Sequence, residues 1–161
     1  KQIKKINPLT LKGVIKFGRI HDCIQSFIID QIFNAKVKTL LFIFLGGGLG
    51  SVFRFLISKL IPVTKGAFPW PTLIANLIGC LLIGILVGWA FKSNLLRSEL
   101  YLFTVIGFCG GLTTFSTFSY EGLEFLKSGN YSLFLSYVSI SLIGGFIMVA
   151  SGFSLVRIIN S

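Results

Sequence analysis

Acidic residues are scarce in this chain. Five Asp and Glu stand against fifteen Lys and Arg in 161 residues, and charged residues of both signs make up only 12%. Between positions 73 and 118 the charges are Lys92, Arg97 and Glu99, all in or beside one short segment. A pump or proton-coupled exporter usually carries a membrane-embedded ionisable group as its proton relay, and that stretch offers none. An enzyme needs acid, base or nucleophile pairs in mutual reach, and these are missing too, so the chain reads as a non-enzyme. Cysteine and histidine are equally sparse. Cys23, Cys80 and Cys109 have neither metal-ligand nor redox spacing and His21 stands alone, so all four read as packing or surface residues.

What the chain has in abundance is apolar sequence. Hydrophobic residues make up 53% and the mean hydropathy is +0.86, which leaves too little polar surface to coat a soluble globule. Uncharged runs cover residues 39–53, 66–91, 100–120 and 128–156. The last three exceed the roughly 20 residues that cross ~30 Å of hydrocarbon. The first reaches that length if Arg54 and Lys59 snorkel at one boundary. Four spans follow, an all-α membrane protein, with Trp70, Trp89 and Tyr101 near span ends, where amphipathic rings prefer to sit. The connecting loops are too short to hold a soluble catalytic domain.

The net charge of +10 points to anionic lipid headgroups rather than nucleic acid. Six basic residues fall in the first 35 positions and the others flank the spans. Residues 1–35 form a basic N-terminal extension without the pattern of a secretory signal. It is expected to be interfacial, disordered or an artefact of where translation was assumed to start, and residues 36–161 are expected to be the four-helix transmembrane domain. From Lys36 onward the side shared by the termini carries Lys36, Lys38, Lys92, Arg97 and Arg157, against Arg54, Lys59, Lys65 and Lys127 on the other. So even a balance barely biases orientation and allows the chain to insert both ways and pair antiparallel, although the basic extension, where present, would tilt it. Small residues four apart, Gly46 with Gly50, Gly84 with Gly88, Gly107 with Gly111 and Ser141 with Gly145, allow close helix approach. Four short spans enclose little by themselves, which argues for a dimer.

Polar residues inside the spans carry more. Residues 107–118 read GFCGGLTTFSTF, a diglycine followed by hydroxyls in a membrane-length apolar run. Two helix-interior glycines cost roughly 1 kcal/mol each relative to Ala, and lipid tolerates a broken helix only where the freed backbone groups meet protein, water or an ion. A break is therefore expected at the diglycine, Gly110 and Gly111. Phe115 and Phe118, three apart, share a helix face, interleaved with Thr113, Thr114, Ser116 and Thr117. Hydroxyls and the positive edges of aromatic rings together suit an anion. Asn76 lies in the first turns of the second span, where an amide needs a partner; that partner is either a neighbouring helix or a permeant ion. Tyr137 and Ser141, four apart on the fourth span, extend a polar stripe through a segment without charge. Passive conduction of an anion fits these features.

The segments Gly46-Gly47-Gly48-Leu49-Gly50 with Arg54, Thr72-Leu73-Ile74-Ala75-Asn76-Leu77-Ile78-Gly79, and Gly107 through Glu121 closely resemble the Fluc (CrcB-like) fluoride channels, over about residues 39–157. The resemblance implies a multi-pass protein of the cell (plasma) membrane, a dual-topology antiparallel homodimer, and passive exit of cytoplasmic fluoride that lowers its toxicity. It further implies that Asn76 is the pore amide, that Phe115 and Phe118 present ring edges to the anion, and that Ser116, Thr117, Tyr137 and Ser141 form a polar rail. A structural sodium ion at the dimer centre would be held by backbone carbonyls of Gly110 and Thr113 from both subunits. Arg54 and Glu121 match charged positions of the family pattern. Two departures stand out: residues 1–35 have no counterpart in a typical member, and Gly144 and Gly145 follow Ser141 where another hydroxyl would continue the rail.

Two alternatives belong to other classes. A small proton-coupled multidrug exporter with four spans needs an acid in its first span, and residues 39–53 have none. A non-conducting membrane scaffold would use the glycine packing but leave the hydroxyls and phenylalanines without a role.

Overall fold

The computed structural model describes residues 36–64, 66–93 and 98–159. The basic extension, residues 1–35, lies outside the described residues, as do Lys65 and Arg97 of the charge balance. By backbone contacts the chain divides into Lys1–Lys38 and Thr39–Ser161, and the fold is that of the second unit.

Four helical stretches are long and apolar enough to cross a membrane: Lys36–Leu60, Trp70–Lys92, Glu99–Lys127 and Tyr131–Ile159. They form five helices. The first stretch is α1 and the second α2. The third is divided into α3, which opens as Glu99–Tyr101, widens into π-turns over Leu102–Cys109 and closes with Gly110–Leu112, and α4, Phe115–Lys127. The fourth is α5, Tyr131–Ile159. Pro69 and Pro71 set the start of α2, where proline costs no helical hydrogen bond. Between α4 and α5, Gly129 takes φ +73°, and Asn130 N–H donates to Phe125 O at 2.9 Å while Gly129 N–H donates to Leu126 O at 3.2 Å. That left-handed helix stop turns the chain back within three residues.

Helix approach is set by glycine. On α1, a Cβ at Gly46 would overlap Phe103 O and one at Gly50 would overlap Phe108 O; on α3, a Cβ at Gly111 would overlap Gly47 O. The wide π-turn brings Phe103 O and Phe108 N to the same point opposite Gly46. The second seam joins α2 and α5, which run parallel: Gly84 lies against the backbone of Val149, Gly88 against Phe153, and Gly152 against Leu81 O. Without hydrophobic exclusion between helices in lipid, such contact supplies the dispersion energy of association. At one end of the bundle Leu73, Phe125 and Tyr137 are buried together, with Phe68, Leu77, Phe118, Leu133 and Phe134 packed around them.

Two expectations are corrected. The break does not fall at the diglycine. Gly110 is helical at φ −63°, ψ −36°, and the chain leaves the helix at Thr113, ψ 152°, and Thr114, φ −148°, ψ 116°. The low helix propensity of Gly111 is outweighed by the packing against Gly47 that only glycine permits. The third span also continues as helix past Tyr120 to Lys127, so Glu121 and Glu124 are helical rather than in a loop.

Candidate functional site

The break is built by hydrogen bonds that replace helical ones. Thr113 ends α3 with both its amide and its hydroxyl donating to Cys109 O, at 3.0 and 2.9 Å. Thr114 starts α4: its Oγ1 accepts from Thr117 N–H at 3.3 Å, an N-cap, and donates to Thr117 Oγ1 at 3.0 Å. Ser116 Oγ lies 3.3 Å from the same Thr114 hydroxyl. Asn76, on the second turn of α2, grips the strand-like Thr114 at two points. Thr114 N–H donates to Asn76 Oδ1 at 2.7 Å, and Asn76 Nδ2 donates to Thr114 O at 3.2 Å. From α1, Arg54 Nε donates to Gly111 O at 3.2 Å.

The break leaves the last carbonyls of α3 without helical partners: Gly111 O is taken by Arg54, and Gly110 O and Thr113 O are among the others. In a continuous helix Gly110 O would accept from the amide of Thr114, and Thr113 O from that of Thr117. The first amide is taken by Asn76 and the second by the Thr114 hydroxyl. No group of three or more His, Cys, Asp or Glu that could hold a metal occurs among the described residues.

Two turns along α4, Glu121 gathers three elements. Its Oε1 accepts from Thr72 Oγ1 of α2 and its Oε2 from Tyr137 Oη of α5, each at 2.7 Å. Tyr137 is fully buried, its ring 5.0 Å from that of Phe118, 5.5 Å from Phe68 and 6.2 Å from Phe125. Phe118 in turn lies 5.8 Å from Phe115 at an interplanar angle of 39°, and Phe115 is 78% exposed on the single chain. Ser51, Arg54, Ser58, Thr72, Thr114 and Thr117 line a cavity of about 300 Å³ that also touches Phe55 and Pro71; it holds a guanidinium and five hydroxyls but no carboxylate.

Of the residues singled out from the sequence, Asn76, Gly110, Thr113, Ser116, Thr117 and Arg54 converge on the break, while Phe115, Phe118, Tyr137 and Glu121 form an adjoining chain of contacts. Ser141 stands apart: its Oγ is buried with no hydrogen-bond partner. From the sequence Thr72 stood only as the first residue of a motif, without a role, and Ser51 and Ser58 went unnamed. Thr72 was detectable, because it precedes Asn76 by four residues and so shares its helix face.

The model of the family described as CrcB-like protein, Camphor Resistance (CrcB), matches residues 41–153. The chain belongs to the CrcB-like family. Among the family's curated members, a protein of Azobacteroides pseudotrichonymphae named fluoride-specific ion channel FluC is 42% identical over 120 residues, covering 74% of this chain and 96% of that protein. A protein of the same name from Leptospira interrogans is 46% identical over 109 residues, 67% of this chain and 86% of its own length. One from Pyrococcus abyssi is 42% identical over 122 residues, 76% and 98%. These CrcB-like relatives are named as channels, not enzymes, and with four apolar spans the chain is a multi-pass membrane protein.

Proposed function

We propose that this chain forms a fluoride channel of the cell membrane that lets cytoplasmic fluoride leave passively. The observation that carries the reading is the broken third span, pinned by Asn76 and lined by hydroxyls and ring edges. Fluoride is small and tightly hydrated, so a path through low dielectric must replace its water with donors. Asn76 keeps one N–H beyond the one it gives to Thr114. The hydroxyls of Ser116 and Thr117 stand at the positive end of α4, and the edges of Phe115 and Phe118 carry partial positive charge. Tyr137, with Thr72 joined to it through Glu121, and Ser141 continue the polar line, while Arg54 at the hydroxyl-lined cavity draws anions inward.

A single copy leaves Phe115 exposed, and nothing lies within 4 Å of where a Cβ on Gly110 would stand. Both support a second copy packed across this face, inserted in the opposite orientation. Two such copies would bring Gly110 O and Thr113 O of each subunit to a four-oxygen site. Uncharged carbonyls suit a hard monovalent cation such as sodium, whereas a divalent ion would want carboxylates. The fixed positive charge would offset part of fluoride's desolvation and hold the subunits together.

Fluoride efflux from liposomes containing the purified chain tests the function. Efflux of fluoride and not of chloride is expected, and absence of fluoride efflux overturns it. Replacing sodium by a bulky organic cation is expected to slow efflux and weaken the dimer on a sizing column. With Cys23→Ser and Asn130→Cys, an impermeant thiol reagent is expected to label from both membrane faces; labelling from one face alone rejects the antiparallel pair.

A further inference from the structure

A second cavity, of about 660 Å³, lies between the segment that precedes α2 and the side of α4 that carries Thr117, Tyr120, Glu121, Glu124, Lys127 and Ser128. Thr117 lines this cavity and the one beside Arg54 alike. Thr72 lines the first and Glu121 the second, so their 2.7 Å hydrogen bond stands in the wall that the two share. Thr117, Glu121, Glu124 and Ser128 follow one another at helical spacing, and this face runs from the hydroxyls at the break to the end of the span at Lys127. The cavity therefore leads from the site to the level where the helices stop.

Its charges are unequally held. Glu121 is half-buried, and each of its oxygens accepts a hydroxyl, from Thr72 or from Tyr137. Glu124 is exposed, and its Oε1 accepts from Tyr120 Oη at 2.8 Å; because Tyr120 lines the same cavity, that bond keeps the carboxylate at the cavity wall. Lys127, also exposed, stands three residues nearer the surface, about 4.5 Å along the axis, and Thr117 lies seven residues the other way, about 10 Å deeper. From the surface inward the order is cation, carboxylate, hydroxyl.

Given the fluoride-channel reading, on which this rests, we propose that the second cavity is the outer mouth of the anion path and that Glu124 and Lys127 set how fast fluoride reaches Thr117. An anion moving inward is attracted by Lys127 and then repelled by Glu124. The carboxylate lowers the fluoride concentration outside Thr117, and the lysine partly restores it. A unit charge about 10 Å from the ion in water changes that concentration about twofold, and salt screens the effect, so Glu124 acts as a brake on entry rather than as a barrier.

The test is fluoride efflux from liposomes of uncharged lipid, at fluoride low enough for the rate to be proportional to it. Ionic strength is set to about 10 mM or about 1 M with potassium gluconate, sodium being held constant. The proteins are the native chain, Glu124→Gln, Glu124→Lys, Lys127→Gln, and Arg157→Gln, which removes an exposed charge at the far end of α5. At low ionic strength Glu124→Gln is expected to conduct about twofold faster, Glu124→Lys about fourfold faster and Lys127→Gln about twofold slower, with Arg157→Gln matching the native rate. Near 1 M, where the Debye length is ~3 Å, the differences should vanish. Native efflux in both Glu124 variants at low ionic strength, a gain that survives high salt, or an Arg157→Gln protein as slow as Lys127→Gln each overturns the proposal while leaving the channel reading intact. A native chain that conducts no fluoride at either ionic strength overturns both.

Discussion

The two glycine seams and the break of the third span hold helices together by opposite means. In the seams, backbone touches backbone: Gly46, Gly50 and Gly111 between α1 and α3, Gly84 and Gly152 between α2 and α5. No hydrogen bond needs to form there, and any added atom meets a carbonyl that cannot move aside. At the break, side chains of Asn76, Arg54 and Thr114 reach backbone groups that the helix has given up. Apolar contact fixes how far apart the helices stand, while polar contact fixes where the backbone is left open. The two regions should therefore fail differently when mutated.

The largest effect is expected in a seam. Gly84→Leu drives a side chain into Val149 O, and with overpacking already costing about 1–3 kcal/mol where side chains can yield, rigid backbone leaves only helix separation. Loss of the monodisperse species on a sizing column is the expected result; a folded Gly84→Leu protein would show the seam to be softer than its geometry. Next comes Asn76→Asp. The carboxylate still accepts from Thr114 N–H but donates to nothing and places a negative charge in the anion's path, where screening is weak. Efflux should drop by roughly 30-fold or more, a charge-assisted contact being worth ~2 kcal/mol, while the column profile stays native. Collapse of that profile would move Asn76 from the path into the scaffold.

Smaller effects sharpen the contrast. Tyr137→Phe keeps the ring among Phe68, Phe118 and Phe125 but removes the donor to Glu121, a loss of about 1 kcal/mol, so efflux about fivefold slower is expected in an intact protein. Smallest is Gly48→Ala. Nothing lies within 4 Å of the position where its Cβ would stand, and alanine favours the helix by up to about 1 kcal/mol. Melting temperature should hold or rise slightly. A drop would show that Gly48 belongs to a third close contact, made with another copy.

The spans were legible because hydropathy depends on composition alone, and the pairing of Phe115 with Phe118 because helical spacing is local. The location of the break was not. Glycine's propensity pointed at Gly110 and Gly111, but a residue's cost in a helix is outweighed when a neighbour such as Gly47 occupies the space it leaves, and that neighbour is 64 positions earlier. The π-turns over Leu102–Cys109 have no compositional mark; they show only in how α3 meets Gly46. The helical extension through Glu121 lay past the end of the uncharged run at residue 120, and its partners Thr72 and Tyr137 come from other helices. Roles that depend on one element were readable, and those that depend on two were visible only as unexplained polar residues.

The two-point grip of Asn76 on Thr114 also has a sense of direction. Were the amide turned over, its oxygen would face the oxygen of Thr114 and its nitrogen the N–H, two repulsive pairs in place of two bonds, so a single orientation survives. The N–H that Asn76 still has to give is thus held like a compass needle, pointing one way before any anion arrives, and an ion meeting it has no rotor to freeze and no competing pose to displace.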